Sequence, residues 1–93
     1  MREKEIEQQF ARSVKKRGGI ALKFVSPGFD GMPDRLVLFP EGRAGFVEVK
    51  APGKRPRPLQ ISRHRLLRKM GFQVYVLDAR EQIEVIIDEI RTT

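Results

Sequence analysis

An α/β fold, with helices packed on a mixed central sheet in the order α-β-β-β-α-β-α, is predicted by three features of this sequence. Apolar residues recur at helical spacing near both ends of the chain. Four short apolar runs alternate with the helical stretches. Glycine or proline stands at most of the junctions. Interleaved helices and strands of this kind pack as layers around one core.

Residues 2–17 read as the first helix. Ile6, Phe10 and Val14 form a stripe along it, Lys15, Lys16 and Arg17 suit the negative end of its dipole, and Gly18-Gly19 ends it. Residues 20–25 read as a strand, and 26–33, rich in glycine and proline, as a loop. Residues 34–39 and 44–51 read as two further strands. The short turn 40–43 makes them an antiparallel hairpin. A stiff basic connector, 52–58, leads to a helix with Pro58 in its first turn that runs to Gly71. This helix serves as a crossover to a fourth strand, 73–78, which can then run parallel to the third. The last helix, 80–90, carries Ile83, Val85, Ile86, Ile87 and Ile90. That is more than one face needs, so part of it is expected at a subunit contact.

The 93 residues suit one domain, 1–93, and their 40% hydrophobic content supports a modest core. A chain this short buries a limited share of its surface, so pairing with a second copy would help it. Charged residues make up 33% and the formal net charge is +7, which favours a polyanionic partner such as nucleic acid over a neutral one. With no cysteine, disulfides, thiolate zinc sites and cysteine nucleophiles are excluded, and the chain suits a reducing cytosol. No stretch is long and apolar enough to span a membrane, and the polar N-terminus is no signal peptide.

Charge stands where a buried strand has little use for it. Asp34 opens the second strand after Pro33, and Glu48 and Lys50 lie within the third. Residues two apart share a face, so Glu48 and Lys50 point the same way as Phe46, opposite to Val47, Val49 and Ala51. Apolar residues on both faces indicate a strand covered on both sides. A carboxylate there must be paired or bind a cation. Across the hairpin, Asp34 can approach Glu48, and two converging carboxylates suit a hard cation, Mg²⁺ or Mn²⁺. Such an ion polarises a phosphate oxygen and activates water. Lys50 reaches the same place and can orient that water or offset charge on the phosphate. A plain Glu48–Lys50 ion pair on a solvated face is the competing reading.

Pro33-Asp34 followed by Glu48-Val49-Lys50 resembles the signature of the PD-(D/E)XK nucleases, whose core is restriction-endonuclease-like. The segments "GGIALKF", "GMPDRLVLFPEGRAGFVEVKAPG" and "PLQISRHRLLRKMGFQVYVL" together resemble the VRR-NUC (virus-type replication-repair nuclease) family, in its stand-alone, phage-type form. The resemblance implies a Mg²⁺- or Mn²⁺-dependent endonuclease acting on DNA in the cytoplasm of a bacterial host. Asp34 and Glu48 are its implied metal ligands, joined by the Val49 carbonyl and a first-helix glutamate, Glu7, with Glu3 one turn earlier. Lys50 is the implied catalytic lysine. Gln60 matches the glutamine opening the following helix and is implied to bond near that lysine or the substrate. Lys23 matches a family lysine on the first strand, placed by the resemblance near the scissile phosphate, though a solvated strand residue is an equal reading. His64, one turn after Gln60, is the sole histidine; Asp30 reads as a turn residue.

Lys54, Arg55 and Arg57 in the connector are expected to hold DNA phosphates without reading sequence; the helix residues Arg63, Arg65, Arg68 and Lys69 also read as a solvated basic face. Stand-alone members resemble Holliday junction resolvases, which implies a homodimer acting on branched DNA such as four-way junctions. Three readings compete: a structure-selective nuclease, a basic DNA-binding module that has lost catalysis, and a flap, duplex or restriction-type nuclease. The three charged residues together weigh against a pure binder, which has no need of acids beside its phosphates.

Overall fold

The computed structural model describes residues 1–93. Its elements are α1 (Glu3–Lys16), β1 (Ile20–Lys23), β2 (Arg35–Phe39), β3 (Arg43–Val49), α2 (Pro58–Lys69), β4 (Val74–Leu77) and α3 (Ile83–Thr92), with one 3₁₀ turn, Arg80–Gln82, before α3. The expected order of helices and strands is present. The strands are shorter than expected at the end that carries the acids. Asp34 lies just before β2, and β3 stops at Val49, ahead of the connector that Pro52 begins to stiffen.

The sheet has the order β1-β2-β3-β4. The first three strands form an antiparallel meander, and β4 returns parallel to β3 through α2. The β2–β3 turn holds Glu41 at φ 70° and Gly42 at φ 72°, a left-handed pair that turns the hairpin tightly.

Helices α1 and α3 cover one face. Ile6, Phe10 and Val14 of α1 and Ile83, Ile86, Ile87 and Ile90 of α3 meet Val37, Phe39, Val47, Val49 and Leu77 in a single buried cluster. Gly45 lets α3 approach, because a Cβ there would sit 2.9 Å from Ile90 Cδ1. The surplus of apolar residues on α3 is thus spent within the chain, and only Val85 is left outside, 56% exposed. The helix expected at a subunit contact is therefore part of the core.

The other face belongs to α2, which packs Leu67 on Phe46 and Val74. Strand register sets this face out in rows. Ile20, Leu38 and Ala44 form one, and Leu22, Leu36, Phe46 and Val74 the next. A third row begins with Phe24, whose N–H donates to the Asp34 carbonyl at 2.8 Å, and continues through Asp34 to Glu48 and Val76. Two of the charged residues singled out in the sequence, Asp34 and Glu48, stand in that row, at the end of the sheet where the connector leaves, and Lys50 follows just beyond the end of β3.

Candidate active site

Asp34 and Glu48 face each other one step beyond the Arg35–Val47 pair of the antiparallel ladder. Pro33 is fully buried, and the Val49 N–H donates to Asp34 Oδ2 at 2.9 Å. Both contacts hold the Asp34 carboxylate at the end of β3, although it lies outside the strand.

Glu48 is 1% exposed. Gln60 Nε2 donates to Glu48 Oε2 at 3.1 Å, and Lys50 Nζ lies 3.7 Å from the same oxygen. Gln60 Oε1 accepts from the Arg57 N–H at 2.8 Å, so one amide both ties off the start of α2 and grips the carboxylate. The second oxygen, Oε1, has no hydrogen-bond partner. It lies 3.6 Å from His64 Nε2, a nitrogen that is equally buried and equally without a partner.

These surroundings disfavour charge on Glu48. Burial, then a hydrogen bond and repulsion from Asp34, push its pKa up to about 8, while Lys50 pulls the other way and Glu3 adds a little more repulsion. Burial lowers the pKa of His64, with help from the positive charges of Arg68 and Lys50. A neutral imidazole therefore stands beside a carboxyl that tends to keep its proton.

That arrangement fits a hard divalent cation. The side-chain donors are two carboxylates rather than a cage, since no cluster of three or more His, Cys, Asp and Glu side chains surrounds a common point. Magnesium is commonly held in this way, by one or two carboxylates with waters and substrate phosphate completing the shell. The partnerless Glu48 Oε1 is a donor in need of a cation. The Val49 N–H points at Asp34, and in extended backbone the carbonyl of the same residue leaves on the same side, where it can serve as a further ligand.

Two expected residues sit apart from this group. Glu7 Oε2 is engaged by Arg35 Nε at 3.0 Å, and Arg35 Nη1 also bonds the Ala21 carbonyl at 2.9 Å. This holds Glu7 on the α1 side of the sheet. Of the two α1 acids, Glu3 is the one whose charge is felt by Glu48. Lys23 pairs with Arg35 in the ladder, so its side chain leaves from that same α1 face, opposite to Asp34 and Glu48. Lys54, Arg55 and Arg57 are exposed on the connector just beyond Lys50. Arg63 is occupied elsewhere, bonding the Asp30 carbonyl at 2.8 Å and covering the Phe29 ring at 3.9 Å.

His64 and Arg35 gain parts that sequence reasoning did not give them. The spacing of Gln60 and His64 on one helix face signalled the first. Nothing local signalled the second, because its partner Glu7 is distant in sequence. The acids stand at the end of the sheet where the connector leaves, Glu48 buried and Asp34 half-buried. The largest cleft, about 500 Å³ between Met1, Ile6, Pro52 and Arg80, contains neither of them.

Comparison with known proteins adds three findings. A family model described as the VRR-NUC domain matches residues 2–81. The chain is 52% identical over 81 residues to "Putative nuclease p44" of Acyrthosiphon pisum secondary endosymbiont phage 1, covering 87% of each chain. A solved structure described as a VRR_NUC domain superposes with a TM-score of 0.87 at 32% identity, covering 92% of this chain and 94% of that one.

Proposed function

The chain belongs to the VRR-NUC domain family, and from that premise we propose that it is a divalent-metal-dependent endonuclease that hydrolyses DNA phosphodiester bonds, with branched DNA such as four-way junctions as its substrate. The observation that carries this reading is the buried Glu48 opposite Asp34, with Lys50 and Gln60 on the same carboxylate. A pure DNA binder gains nothing from two acids beside its phosphates.

Asp34, Glu48 and the Val49 carbonyl would hold Mg²⁺ or Mn²⁺. Glu7 would join them only by releasing Arg35, whereas Glu3 is the α1 acid whose charge adds, weakly, to the repulsion on Glu48. The bound ion supplies Lewis acidity to a phosphate oxygen and acidifies water. Gln60 holds the Glu48 carboxylate by its amide, and would orient it as a ligand when the ion is bound. Lys50, 18% exposed at its side chain, stands between the acids and solvent, where its ammonium meets the phosphate and orients the attacking water. Lys54, Arg55 and Arg57 extend that positive charge along the DNA backbone. Lys23, leaving from the other face, would meet a phosphate only at the sheet edge.

The same reading makes the working unit a homodimer, since a four-way junction presents two equivalent strands to cut. It also takes the chain to be phage- or prophage-encoded and to act in the host cytoplasm. The phage relative and the absence of any helix long and apolar enough to cross a membrane are in keeping with this.

A cleavage assay with Mg²⁺ and Mn²⁺ on four-way junction, flap and linear duplex, run beside Lys50→Ala, tests the proposal. Junction cutting that Lys50→Ala loses is the expected result. Equal cutting of all three substrates would point to a nuclease without junction preference. Binding with no cutting by either metal would favour a non-catalytic module on the same fold.

A further inference from the structure

Arg35, Arg43 and Arg63 are half-buried, and every other arginine is exposed. Arg35 is paired with Glu7 and Arg43 with Glu41. Arg63 has no carboxylate at ion-pair distance. Its Nε donates to the Asp30 carbonyl at 2.8 Å, and its Cζ lies 3.9 Å over the Phe29 ring. Asp30 thus gives its carbonyl and not its carboxylate. The two Nη groups of Arg63 find no acceptor in the chain.

The loop between β1 and β2 is shaped to hold that guanidinium. The Phe29 N–H closes a turn onto the Ser26 carbonyl at 3.1 Å, with Pro27 in the position where a turn favours it. Two residues later, a Cβ at Gly31 would lie 2.8 Å from Leu59 Cγ and 3.1 Å from Arg63 Cγ, so the loop is seated directly on α2. Leu59 and Arg63 stand one residue before Gln60 and His64. The flank that carries the guanidinium therefore adjoins the face that meets Glu48. Asp30 is four residues from Asp34, so their backbones are at most about 14 Å apart. In a DNA strand that rises about 3.4 Å per nucleotide, this is a reach of about four nucleotides. The connector leaves β3 and this loop enters β2, so a basic group lies beyond each of the two strands that carry the acids.

We propose that Arg63 is a preset phosphate site, whose two free Nη groups grip one backbone phosphate of DNA within about four nucleotides of the bond cut at Asp34 and Glu48. The inference rests on the nuclease reading and adds where the strand is held on the β2 side of the acids. The guanidinium is a planar fork that matches two phosphate oxygens. Lys54, Arg55 and Arg57 are exposed and must be ordered when they bind. Phe29 and the Asp30 carbonyl already order Arg63, so contact there costs less rotamer freedom. A half-buried cation without a counter-ion is also less screened than a solvated one. Fastening the loop to the helix makes no use of the two spare donors, and the seat of Gly31 on Leu59 already serves that end.

Fluorescence anisotropy of a labelled duplex over a salt series, without divalent cation, compares wild type with Arg63→Gln. The expected result is weaker binding and a slope of log affinity against log salt reduced by about 0.9, the share of one phosphate. If Arg63→Gln melts earlier but keeps the wild-type slope, Arg63 only fastens the loop and the site is overturned, while cutting by wild type keeps the nuclease reading. A reduced slope in a protein that binds and never cuts supports the site and counts against the chemistry alone. If wild type neither binds nor cuts DNA, the nuclease reading fails and takes the site with it.

A second measurement leaves Arg63 intact. The chain has no cysteine, so a benzophenone maleimide on Asp30→Cys is carried at that position only, beside the guanidinium. The control is the same label on Val85→Cys, exposed on α3. Irradiation should join bound DNA to the Asp30→Cys protein and not to the control. Equal joining in both, or none at Asp30→Cys in a protein that still binds DNA, overturns the site.

Discussion

Gln60 donates its amide N–H to Glu48 across 3.1 Å while its carbonyl oxygen accepts from the Arg57 backbone, so the start of a helix and the position of a buried acid depend on one side chain. Gln60→Ala removes both bonds. One buried carboxyl oxygen loses its donor, at a cost of about 1–3 kcal/mol. Thermal melts should show a clear loss of stability, and cleavage should fall by about 10- to 100-fold if Glu48 is a metal ligand that Gln60 orients. Unchanged cleavage in Gln60→Ala would separate its structural role from the chemistry.

Glu48 gives the protein a definite pH signature. Its folded pKa of about 8 lies above the ordinary glutamate value of 4.5. The folded state therefore holds a proton that the unfolded state releases between those values. The sign follows from linkage: the stabilisation is complete below about 4.5 and is lost as pH rises through about 8. Melting temperature without divalent cation should fall over that window. Glu48→Gln, which cannot ionise, should flatten the slope, and a slope the variant leaves unchanged would assign it to other groups. Mg²⁺ at neutral pH should restore stability and release a proton, measurable as a buffer-dependent heat.

Asp34→Asn and Lys50→Ala should each lower cleavage by at least about a hundredfold while DNA binding persists. Filter binding beside a single-turnover assay separates the two effects. Asp34→Asn keeps the acceptor that the Val49 N–H needs, so its fold should survive.

The α1 acids give opposite expectations. Glu7 is part of the pair with Arg35, and Glu7→Gln should act on stability, with little change in Mn²⁺ affinity. Glu3, whose charge reaches Glu48, should show the reverse on Glu3→Gln. Mn²⁺ titration followed by electron paramagnetic resonance distinguishes them. Weaker Mn²⁺ binding in Glu7→Gln alone would mean that Arg35 gives way when the ion arrives.

Each connector residue, Lys54, Arg55 and Arg57, should lower the salt dependence of binding to duplex arms by about 0.9 when changed to alanine, with no change in sequence preference. A slope that stays constant through the triple variant would remove the connector from the DNA contact.

The order of elements was legible in the sequence because Ile6-Phe10-Val14 and the short apolar runs carry unambiguous periods, and glycine and proline punctuate them. The acids were legible for a related reason: Asp34 and Glu48 break patterns that are otherwise apolar. What periodicity cannot supply is the partner of a side chain from another element. Glu7 flanks the α1 stripe, but Arg35, far along the chain, decides which way its carboxylate is held. Lys23 alternates correctly within β1, but only its register against Arg35 reveals which face of the sheet it joins. The apolar surplus on α3 was real, and its destination was the core because Gly45 lets that helix come close.

The parallel crossover through α2 has a consequence for the order of folding. Asp34 and Glu48 meet in a tight local hairpin, whereas Gln60 and His64 reach them only after a connector and a helix have formed and β4 has aligned beside β3. Contacts close in sequence form earlier than distant ones. The hairpin can thus pair its two acids while water still surrounds them, when Glu48 has no reason to keep a proton at neutral pH. Docking of α2 is the event that dehydrates it. Refolding at neutral pH without divalent cation should therefore end with uptake of a proton from solution, later than strand pairing and visible to a pH indicator in a stopped-flow mixer. The same refolding with Mg²⁺ present should end without that uptake.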